Sequence, residues 1–262
     1  MKFDMHCHTK EGSIDAKVSI MDYACQLIRM GFDGMLVTDH NSYRGYEKWA
    51  EAQKKQGVLK NFTVLKGIEY DTVDAGHIIA ILPDGVHSKL LEIRGMTIHQ
   101  LERIVHGLGG ILGPAHPYGT GYFAAMNTHP FKKNEKLMEE FDFIEVFNSC
   151  TKPLANAKAR LLATKYDKFN FAGSDAHKAG VIGKAYTIFE NKITCNNDLI
   201  RAVKHKEKVI AQGIHIDKVK KKMNTLDKVK EELGIIGYWC YNRLSAFIMG
   251  SRRYIELQKT IR

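Results

Sequence analysis

The chain has 262 residues, of which 44% are hydrophobic and 26% are charged, and its formal net charge is +10. A length of this order corresponds to one or two domains, and α/β barrels often fill it as a single domain. The composition excludes disorder over most of the chain, and the lack of a run of about 18 uncharged apolar residues argues against a membrane-spanning helix.

The cysteines and the first residues bear on the compartment. Five cysteines are widely scattered and include no Cys-x-x-Cys pair, which favours reduced thiols over a disulfide framework or a zinc ribbon. The sequence Met1–His6 lacks the apolar stretch of a secretory signal. We therefore expect a cytoplasmic protein.

The positive charge is concentrated in the C-terminal part of the chain. Residues 201–262 contain 15 Lys and Arg against 6 Asp and Glu, whereas the first 200 residues contain 24 against 23. A general nucleic-acid-binding protein more often spreads its basic residues around the working cleft. The net charge therefore says little about the chemistry of the main domain.

Short apolar strands alternate with amphipathic helices through the first 190 residues. Strands that alternate with helices predict a parallel sheet, and this number of them predicts a barrel. The predicted strands are Lys2–His6, Gly34–Thr38, Val64–Glu69, His77–Leu82, Gly110–Ala115, Phe143–Phe147, Asn170–Gly173 and Ala185–Phe189. The predicted helices, identified by apolar residues at three- and four-residue intervals, include Ser19–Met30, Thr97–Leu108, Pro153–Tyr166 and Asp198–Val209.

The sequence changes in character after Glu190. The lysine run Lys218–Lys222 precedes a charged helical pattern around Thr225–Leu233, and an aromatic and apolar stretch follows at Leu233–Met249. We therefore predict a barrel domain over residues 1–214 and a basic helical appendage over residues 215–262.

The first predicted strand ends in a His-x-His pair. Because a strand alternates its faces, the side chains of His6 and His8 point the same way. Two adjacent imidazoles can hold one divalent metal ion, and Asp15 in the following loop offers a carboxylate. A single pair of this kind is a weak signal, since chance pairs are common.

Further residues of the types that bind metals recur at the ends of later strands. A single His or Glu at a strand end more often has a structural explanation, but nine such residues are hard to explain by chance. Barrel enzymes build their sites at the C-terminal ends of the strands, so the joint pattern predicts a multinuclear metal site. The nine residues are His6, His8, Asp15, His40, Glu69, His77, His116, Asp175 and His177.

This set of motifs resembles the PHP (polymerase and histidinol phosphatase) family. The resemblance covers roughly residues 1–190, and it implies the family's fold, a distorted (β/α)7 barrel. The motifs that carry it are His6-x-His8-Thr9, Thr38-Asp39-His40-Asn41, Gly67-x-Glu69, Gly76-His77, Ala115-His116-Pro117 and Gly173-Ser174-Asp175-Ala176-His177.

The resemblance implies a cluster of three metal ions with a divided ligand set. His6, His8, Glu69 and Asp175 would hold the first ion, and Glu69 would bridge to a second ion held by His77 and His116. Asp15, His40 and His177 would hold the third. The position of Asp15 is histidine in some family members, a departure that bears on the affinity and identity of the third ion.

A site with two or three divalent ions suits a phosphate ester, because paired ions stabilise both the attacking and the leaving oxygen. Our hypothesis is in-line attack on phosphorus by a metal-bridging hydroxide, without a covalent enzyme intermediate, with Glu69, Asp175 and His177 as catalytic residues. Zn, Mn and Fe all accept this mixture of imidazole and carboxylate ligands. The sequence has no Gly-x-Ser-x-Gly elbow for a serine hydrolase and no Gly-rich nucleotide-binding motif.

Three residues in neighbouring loops are candidate substrate contacts. Arg44 and Lys178 follow metal motifs and could meet phosphate oxygens, and Tyr118 could stack on a base or donate a hydrogen bond. For each of them, an ordinary solvated loop position is an equally good interpretation. Glu145 and Asn148 end a strand on the same face, where they would either orient metal ligands or cap the strand.

The appendage has three interpretations. It could be a helical cap packed on the barrel or on a second subunit, a basic surface that guides RNA or DNA, or an interfacial helix. The last interpretation rests on the aromatic and apolar residues around Trp239 and Phe247, which lie beside Arg252 and Arg253.

The leading functional hypothesis is a metal-dependent phosphoesterase that acts on small phosphorylated metabolites, nucleotides or oligonucleotide ends. One alternative is a metal-dependent amidohydrolase, a superfamily that also opens with His-x-His and closes with an Asp at a strand end. The other is a non-catalytic barrel stabilised by metal, whose basic tail binds a partner. The full set of ligand-type residues argues against a decayed site.

Overall fold

The computed structural model describes residues 1–56, 59, 61–216 and 225–260, with the backbone alone for residues 56, 225–232, 235 and 258–260. The strands are β1 (Lys2–Cys7), β2 (Gly34–Val37), β3 (Thr63–Lys66), β4 (Ile68–Asp71), β5 (His77–Ile81), β6 (Ile111–Pro114), β7 (Phe143–Asn148), β8 (Phe169–Gly173), β9 (Ala185–Phe189) and β10 (Val209–Gly213). The α-helices are α1 (Ile20–Arg29), α2 (Arg44–Gln56), α3 (Ile98–Gly107), α4 (His129–Lys133), α5 (Pro153–Lys165), α6 (Asn196–Lys204), α7 (Thr225–Ile248) and α8 (Gly250–Thr260).

The strands form a mixed α/β fold with three sheets in the described part of the chain. The largest sheet has the order β10-β9-β1-β2-β3, the second β4-β5-β6, and β7 pairs with β8. Among the described strands, β1-β2-β3 and β7-β8 pair in parallel, as expected. The pairs β1-β9, β9-β10, β4-β5 and β5-β6 are antiparallel, so the expectation of a parallel sheet is correct only in part. The hydrogen-bonded ladders of the described strands do not close into a barrel.

The predicted strand Val64–Glu69 is two strands that belong to different sheets. The break falls at Gly67, where a Cβ atom would lie 2.9 Å from the Cδ1 atom of Leu36. Beyond the break, β4 turns back through a short loop and pairs antiparallel with β5. A loop this short allows only an antiparallel partner, because a parallel connection needs a dozen or more residues.

The predicted helix Asp198–Val209 is too long. Helix α6 ends at Lys204, and the chain turns through Lys206, whose φ of 50° lies in the left-handed region. Val209 then starts β10, which pairs antiparallel with β9. The sequence pattern missed this strand because pairing with β9 overrides the local helical periodicity.

Helix α3 agrees with its prediction and illustrates how the helices that pack on the sheets form. Thr97 and Gln100 make a capping box at its N-terminus, and the residues Ile98, Leu101 and Val105 on one face are buried in the core. The same logic applies to α1, which begins after the capping residue Ser19.

The C-terminal region contains the two helices α7 and α8 after residue 224, whereas the lysine run Lys218–Lys222 lies outside the described residues. None of the helices in the described part of the chain combines the length and the apolar character that a bilayer crossing requires.

Candidate metal centre

The His-x-His pair stands where the alternation of β1 places it. His6 is the penultimate residue of β1 and His8 follows the strand by one residue, and both side chains are fully buried. Their Nε2 atoms lie 3.0 Å apart. The two imidazoles therefore converge on one point at the end of the strand.

Glu69 lies at the centre of the candidate site. Its carboxylate is buried, and its two oxygens face five imidazole rings at 3.1 to 3.4 Å. Oε1 faces one group of rings and Oε2 the other, so the carboxylate stands between two sets of potential ligands. The rings belong to His6, His77 and His116 around Oε1, and to His8 and His40 around Oε2.

Asp175 approaches the same point from the loop after β8. Its Oδ1 atom lies 3.3 Å from Nε2 of His8 and 3.6 Å from Nε2 of His6. Its backbone has a φ of 54° and its N–H donates to the carbonyl oxygen of His6 at 2.9 Å. This left-handed conformation is one that aspartate tolerates better than most residues, and it turns the carboxylate towards the end of β1.

Asp15, His40 and His177 form the outer part of the site. An Asp15 oxygen lies 3.2 Å from Nε2 of His177 and 3.8 Å from Nε2 of His40. The Asp15 side chain is 53% exposed, whereas Glu69 is buried. The cluster therefore extends from the protein interior at Glu69 to the surface at Asp15.

Neighbouring charges shift the pKa values of carboxylates and imidazoles throughout the cluster. Burial opposes the ionisation of Glu69, but the imidazoles of His77 and His6 hold the pKa of this carboxyl well below its ordinary value. For His40, burial disfavours the charged form, but Glu69 and Asp71 raise its pKa to about 10. At Asp15, burial is outweighed by His177 and His40, and the pKa falls to about 2.

Several buried polar atoms in the described part of the site make no hydrogen bond, although they face one another at 3.1 to 3.4 Å. Buried polar atoms normally have partners, so this arrangement needs an explanation, and a shared cation provides one. The atoms are Nδ1 of His40, Oε1 of Glu69, Oδ1 of Asp71, and Nδ1 and Nε2 of His77.

Within the described residues, four triplets of side chains each bring one ligand atom per residue within 4.8 Å of the others. Imidazole nitrogens and carboxylate oxygens in such groups fit a divalent transition-metal ion. The triplets are His6-His8-Asp175, Glu69-His77-His116, His8-His40-His177 and His40-Asp71-His77.

Asp71 is a member of the cluster that the sequence analysis missed. Its Oδ1 atom lies 3.4 Å from Nδ1 of His40 and 3.3 Å from Nε2 of His77. Its Oδ2 atom accepts from Asn41 at 2.7 Å and lies 3.1 Å from the Arg94 guanidinium. Glu69 and Asp71 share a face because residues two apart on a strand point the same way, but the predicted strand ended at Glu69 and left Asp71 outside it.

Glu145 and Asn148 on β7 hold the ligand-type residues in place. Glu145 Oε1 lies 2.9 Å from Nδ1 of His6, and its Oε2 accepts the backbone N–H of His116 at 2.6 Å. The Asn148 amide donates to Glu145 and to Asp175, both at 3.1 Å. Carboxylates that bind the second ring nitrogen fix the orientation of a ligating histidine.

Asp39 and Asp4 are two buried carboxylates that sequence reasoning did not single out as functional. Asp39 accepts hydrogen bonds from the backbone and hydroxyl of Thr9 and from Ser13, whose Oγ atom lies 3.2 Å from Nδ1 of His8. This carboxylate needs Gly12 beside it, because a Cβ atom there would come within 2.2 Å of Asp39 Oδ2.

Asp4 connects β1 to the loop that carries Asp175. Its carboxylate accepts hydrogen bonds from the backbone and hydroxyl of Ser174, at 2.8 and 2.6 Å, and from Tyr23 at 3.1 Å. Ser174 therefore has a structural role next to the cluster.

A cavity of about 440 Å³ opens over the cluster. Helix α7 contributes Gly234 and Tyr238 to its wall, so part of the predicted appendage borders the candidate site. The other lining residues are Asp15, His40, Glu69, His77, His116, Gly119, Thr120, Phe123, Cys150, Thr151, Asp175 and His177.

The three candidate substrate contacts occupy different surroundings. Arg44 lines a neighbouring hollow of about 390 Å³ that adjoins His40 and also contains Arg94 and Arg252. Tyr118 packs against the core, with Nζ of Lys158 over its ring, and Lys178 is exposed. Neither of the last two lines the cavity over the cluster, because the chain presents Gly119 and His177 there instead.

Sequence comparison matches part of the chain to a known family. The profile of the PHP-associated family (PHP_C) matches residues 153–207, which contain α5, β8, β9 and α6. A search of curated proteins found no match.

Three solved structures share the fold at low sequence identity. A protein from Bifidobacterium adolescentis, assigned as a metal-dependent phosphoesterase, has a TM-score of 0.56 and 16% identity over 84% of this chain and 98% of its own. Endonuclease Q, solved with a 27-mer duplex that has an abasic lesion, has a TM-score of 0.58 and 16% identity over 79% of this chain and 57% of its own. An amidohydrolase from Chromobacterium violaceum, with bound sulfate and no metal, has a TM-score of 0.54 and 14% identity over 80% of this chain and 97% of its own.

These likenesses establish a common fold, and the family match falls on the segment that carries Asp175 and His177. The matched segment and the shared fold support the resemblance of the strand-end motifs to PHP-domain proteins.

Proposed function

We propose that this protein hydrolyses phosphate esters in a site that holds two or three divalent metal ions. The observation that carries the proposal is the position of Glu69, a buried carboxylate between five imidazole rings. Its Oε1 atom and buried ring nitrogens of His40 and His77 make no hydrogen bond. A structural ion pair would not require so many imidazoles around one carboxylate.

Two of the clustered triplets, His6-His8-Asp175 and Glu69-His77-His116, support the ligand division expected for the first two ions. His6, His8, Glu69 and Asp175 would hold one ion, Glu69, His77 and His116 a second, and Asp15, His40 and His177 a third. Zn, Mn and Fe each fit these donor types. When bound, the ions would activate a water molecule and stabilise charge on the phosphate oxygens.

The protein's own residues would orient the substrate and the ligands. Glu69 would hold two ions at a fixed separation, and Asn148 would keep the Asp175 carboxylate turned towards His6 and His8. His177 stands at the mouth of the cavity, beside Asp15, where the ester group would enter. We assign the catalytic roles to Glu69, Asp175 and His177.

The surroundings of the site favour a small anionic substrate. A cavity of about 440 Å³ is in the range of small-molecule sites, and Arg44 and Arg94 in the neighbouring hollow would bind further phosphate oxygens. Phe123 and Tyr238 lie at a ring-centroid distance of 5.3 Å along the wall, where a nucleobase could stack. Small phosphorylated metabolites, nucleotides and oligonucleotide ends all meet these conditions. Tyr118 and Lys178 do not line the cavity, so they would contact such a substrate only if their loops moved.

We also propose that the three sheets are parts of one distorted (β/α)7 barrel over residues 1–214, followed by the basic helical appendage over 215–262. Close backbone approaches across the gaps between sheets support this. A Cβ atom on Gly113 would meet the carbonyl of Phe143, and one on Gly173 would meet the backbone of His6. The scattered cysteines agree with a cytoplasmic location.

The likeness to an amidohydrolase keeps amide hydrolysis as a second candidate. Elemental analysis and turnover distinguish the two, with p-nitrophenyl phosphate, bis(p-nitrophenyl) phosphate and p-nitroacetanilide as substrates before and after chelation. We expect two or three ions per chain and chelator-sensitive release of nitrophenol. Turnover of the anilide alone would favour the amidohydrolase, and bound metal without turnover would favour a non-catalytic barrel.

Variants test the assigned residues. We expect Glu69→Gln and Asp175→Asn to lose bound metal and to lower turnover more than about 100-fold, since residues that only orient ligands already contribute 10- to 100-fold. Glu190→Gln changes an exposed carboxylate in the same way and serves as the control. Full turnover by a metal-depleted Glu69→Gln protein would rule out the mechanism.

A further inference from the structure

The orientation of helix α7 is fixed by contacts along one of its faces. Tyr238, Asn242 and Ala246 follow one another at intervals of four residues and face the body of the protein. The Tyr238 hydroxyl donates to Asp71 at 2.8 Å and the Asn242 amide donates to the Thr72 carbonyl at 3.2 Å. Ala246 is buried against Gly95, where a Cβ atom would clash with it.

The opposite face of α7 is apolar and exposed. Ile236 is 56% exposed, Leu244 60% and Phe247 84%, and these residues also follow helical spacing. Surface helices normally turn their apolar face to the core and their polar face to water, so this helix shows the reverse arrangement. Further exposed apolar and aromatic residues on α7 and α8 are Leu233, Trp239, Tyr241, Ile248, Tyr254 and Ile255.

We call the exposed residues Leu233, Ile236, Trp239, Tyr241, Leu244, Phe247, Ile248, Tyr254 and Ile255 the apolar face. Nine exposed large apolar and aromatic side chains on two consecutive helices are typical of an interaction surface. The remaining question is which partner covers it.

Two arginines beside the apolar face and the basic composition of the C-terminal sequence favour an anionic partner. Arg243 stands over the Trp239 ring at 4.6 Å, and Arg252 is exposed at the start of α8. Residues 215–262 contain 11 Lys and Arg against 5 Asp and Glu. A second copy of the chain would bring like charges together, which disfavours that association, whereas an anionic bilayer attracts basic residues.

We propose that α7 and α8 dock this protein on the surface of an anionic lipid bilayer. The apolar face enters the boundary between headgroups and acyl chains, and the arginines beside it meet lipid phosphates. Apolar and aromatic residues beside basic ones are the composition of helices that lie in the interfacial plane. Docking requires no helix that spans the bilayer, and it is independent of the proposed catalytic activity.

Vesicle cosedimentation tests the proposal with the full-length protein. We expect binding to vesicles of phosphatidylcholine and phosphatidylglycerol, weaker binding to phosphatidylcholine alone, and loss of binding at high salt. The double variant Phe247→Ser, Ile248→Ser should reduce the partition coefficient at least about tenfold, because two large apolar side chains leave the bilayer. Leu154→Ser, Leu161→Ser is the matched control, since both leucines are exposed on α5.

Two further measurements report on the same contact. Trp239 belongs to the apolar face, whereas the second tryptophan, Trp49, is buried. In a Trp49→Phe background, we therefore expect a blue shift of the Trp239 emission on anionic vesicles. Arg243→Gln should weaken cosedimentation, whereas Arg29→Gln, which removes an exposed arginine on α1, should not.

Three results would overturn the proposal. The first is failure of the wild-type protein to bind anionic vesicles, and the second is equal binding by the Phe247→Ser, Ile248→Ser variant and its control. The third is a dimer in size-exclusion chromatography that this variant dissociates, because the apolar face would then be covered by a second copy. Thermal melting of each variant verifies that it is folded before binding is compared.

Discussion

The hydroxyl of Tyr238 on helix α7 donates a hydrogen bond of 2.8 Å to the Oδ2 atom of Asp71 at the end of β4. These residues lie 167 positions apart in the sequence. The contact connects the C-terminal helix to a carboxylate whose other oxygen faces His40 and His77. Helix α7 is therefore part of the wall and of the hydrogen-bond network of the candidate site.

The first prediction concerns this contact. Tyr238→Phe keeps the ring beside Phe123 but removes the donor to a buried, charged acceptor, a change that costs about 1.5 to 3 kcal/mol. We expect a lower midpoint of thermal unfolding, while Tyr241→Phe should have little effect, because the Tyr241 side chain is exposed. Equal melting of the two variants would contradict the role given to the hydroxyl.

The second prediction concerns Asp71 itself. Asp71→Asn retains the shape of the side chain but removes the negative charge that faces His40 and His77. We expect metal affinity to fall about 10- to 100-fold, as it does for groups that orient metal ligands. Competition of Zn²⁺ with a chromophoric chelator measures this change.

Asp74→Asn is the matched control for Asp71→Asn. Asp74 lies three residues further along, and its carboxylate accepts the backbone N–H of Ile98 at 2.9 Å, away from the imidazole cluster. Its replacement should leave metal affinity unchanged. If both variants bound the metal as tightly as the wild type, Asp71 would have no part in the site.

Most of the candidate site could be predicted from the sequence because its residues stand at the ends of strands. The His6-x-His8 alternation and the positions of Glu69 and Asp175 depend on local geometry, which a short segment determines. Asp71 was missed because β4 continues past Glu69 after the break at Gly67. That break depends on the close approach of a neighbouring strand, which no local pattern encodes.

The fold shows the same division between local and long-range information. Helix α3 followed from its own spacing and capping residues, Thr97 and Gln100. Strand β10 depends on its pairing with β9 across the intervening helix α6, and the break between β3 and β4 depends on the approach of Leu36 on β2. The apolar face on α7 points outward because of contacts between residues distant in sequence. Tyr238 bonds to Asp71 at the end of β4, and Asn242 bonds to Thr72 just beyond it.

The third prediction concerns the pH dependence of metal uptake. Glu69 and Asp71 overcome the effect of burial and raise the pKa of His40 to about 10, and Glu145 and Glu69 raise that of His6 well above its ordinary value. We therefore expect these imidazoles to be protonated near neutral pH in the metal-free protein. Because a ligating imidazole must be neutral, metal binding must release protons.

Calorimetry measures this release directly. Titration of Zn²⁺ at the same pH in two buffers of different ionisation enthalpy gives the number of protons released per ion bound. We expect at least one proton per ion and an affinity that increases with pH. A binding enthalpy that is the same in both buffers after dilution heats are subtracted would show that the imidazoles are already neutral.

The last prediction concerns a pH-dependent contact far from the cluster. His106 on α3 lies 2.9 Å from an Asp142 oxygen through Nε2 and 2.7 Å from Glu102 through Nδ1. The hydrogen bond to Asp142 raises the pKa of His106, burial opposes it, and Glu102 raises the pKa further. A histidine whose pKa is raised on folding stabilises the protein fully below its unfolded pKa of about 6.5, and this contribution disappears as the pH rises through the folded pKa.

Because the His106 side chain is partly exposed, we expect the charged imidazole to contribute about 1 kcal/mol to stability at low pH. His106→Gln should therefore melt about 2 to 4 °C below the wild type near pH 6 and approach it near pH 9, whereas the exposed His99→Gln on the same helix should melt like the wild type at both. A deficit for His106→Gln that is equal at the two pH values would mean that packing, and not the charge of the imidazole, is what this residue contributes.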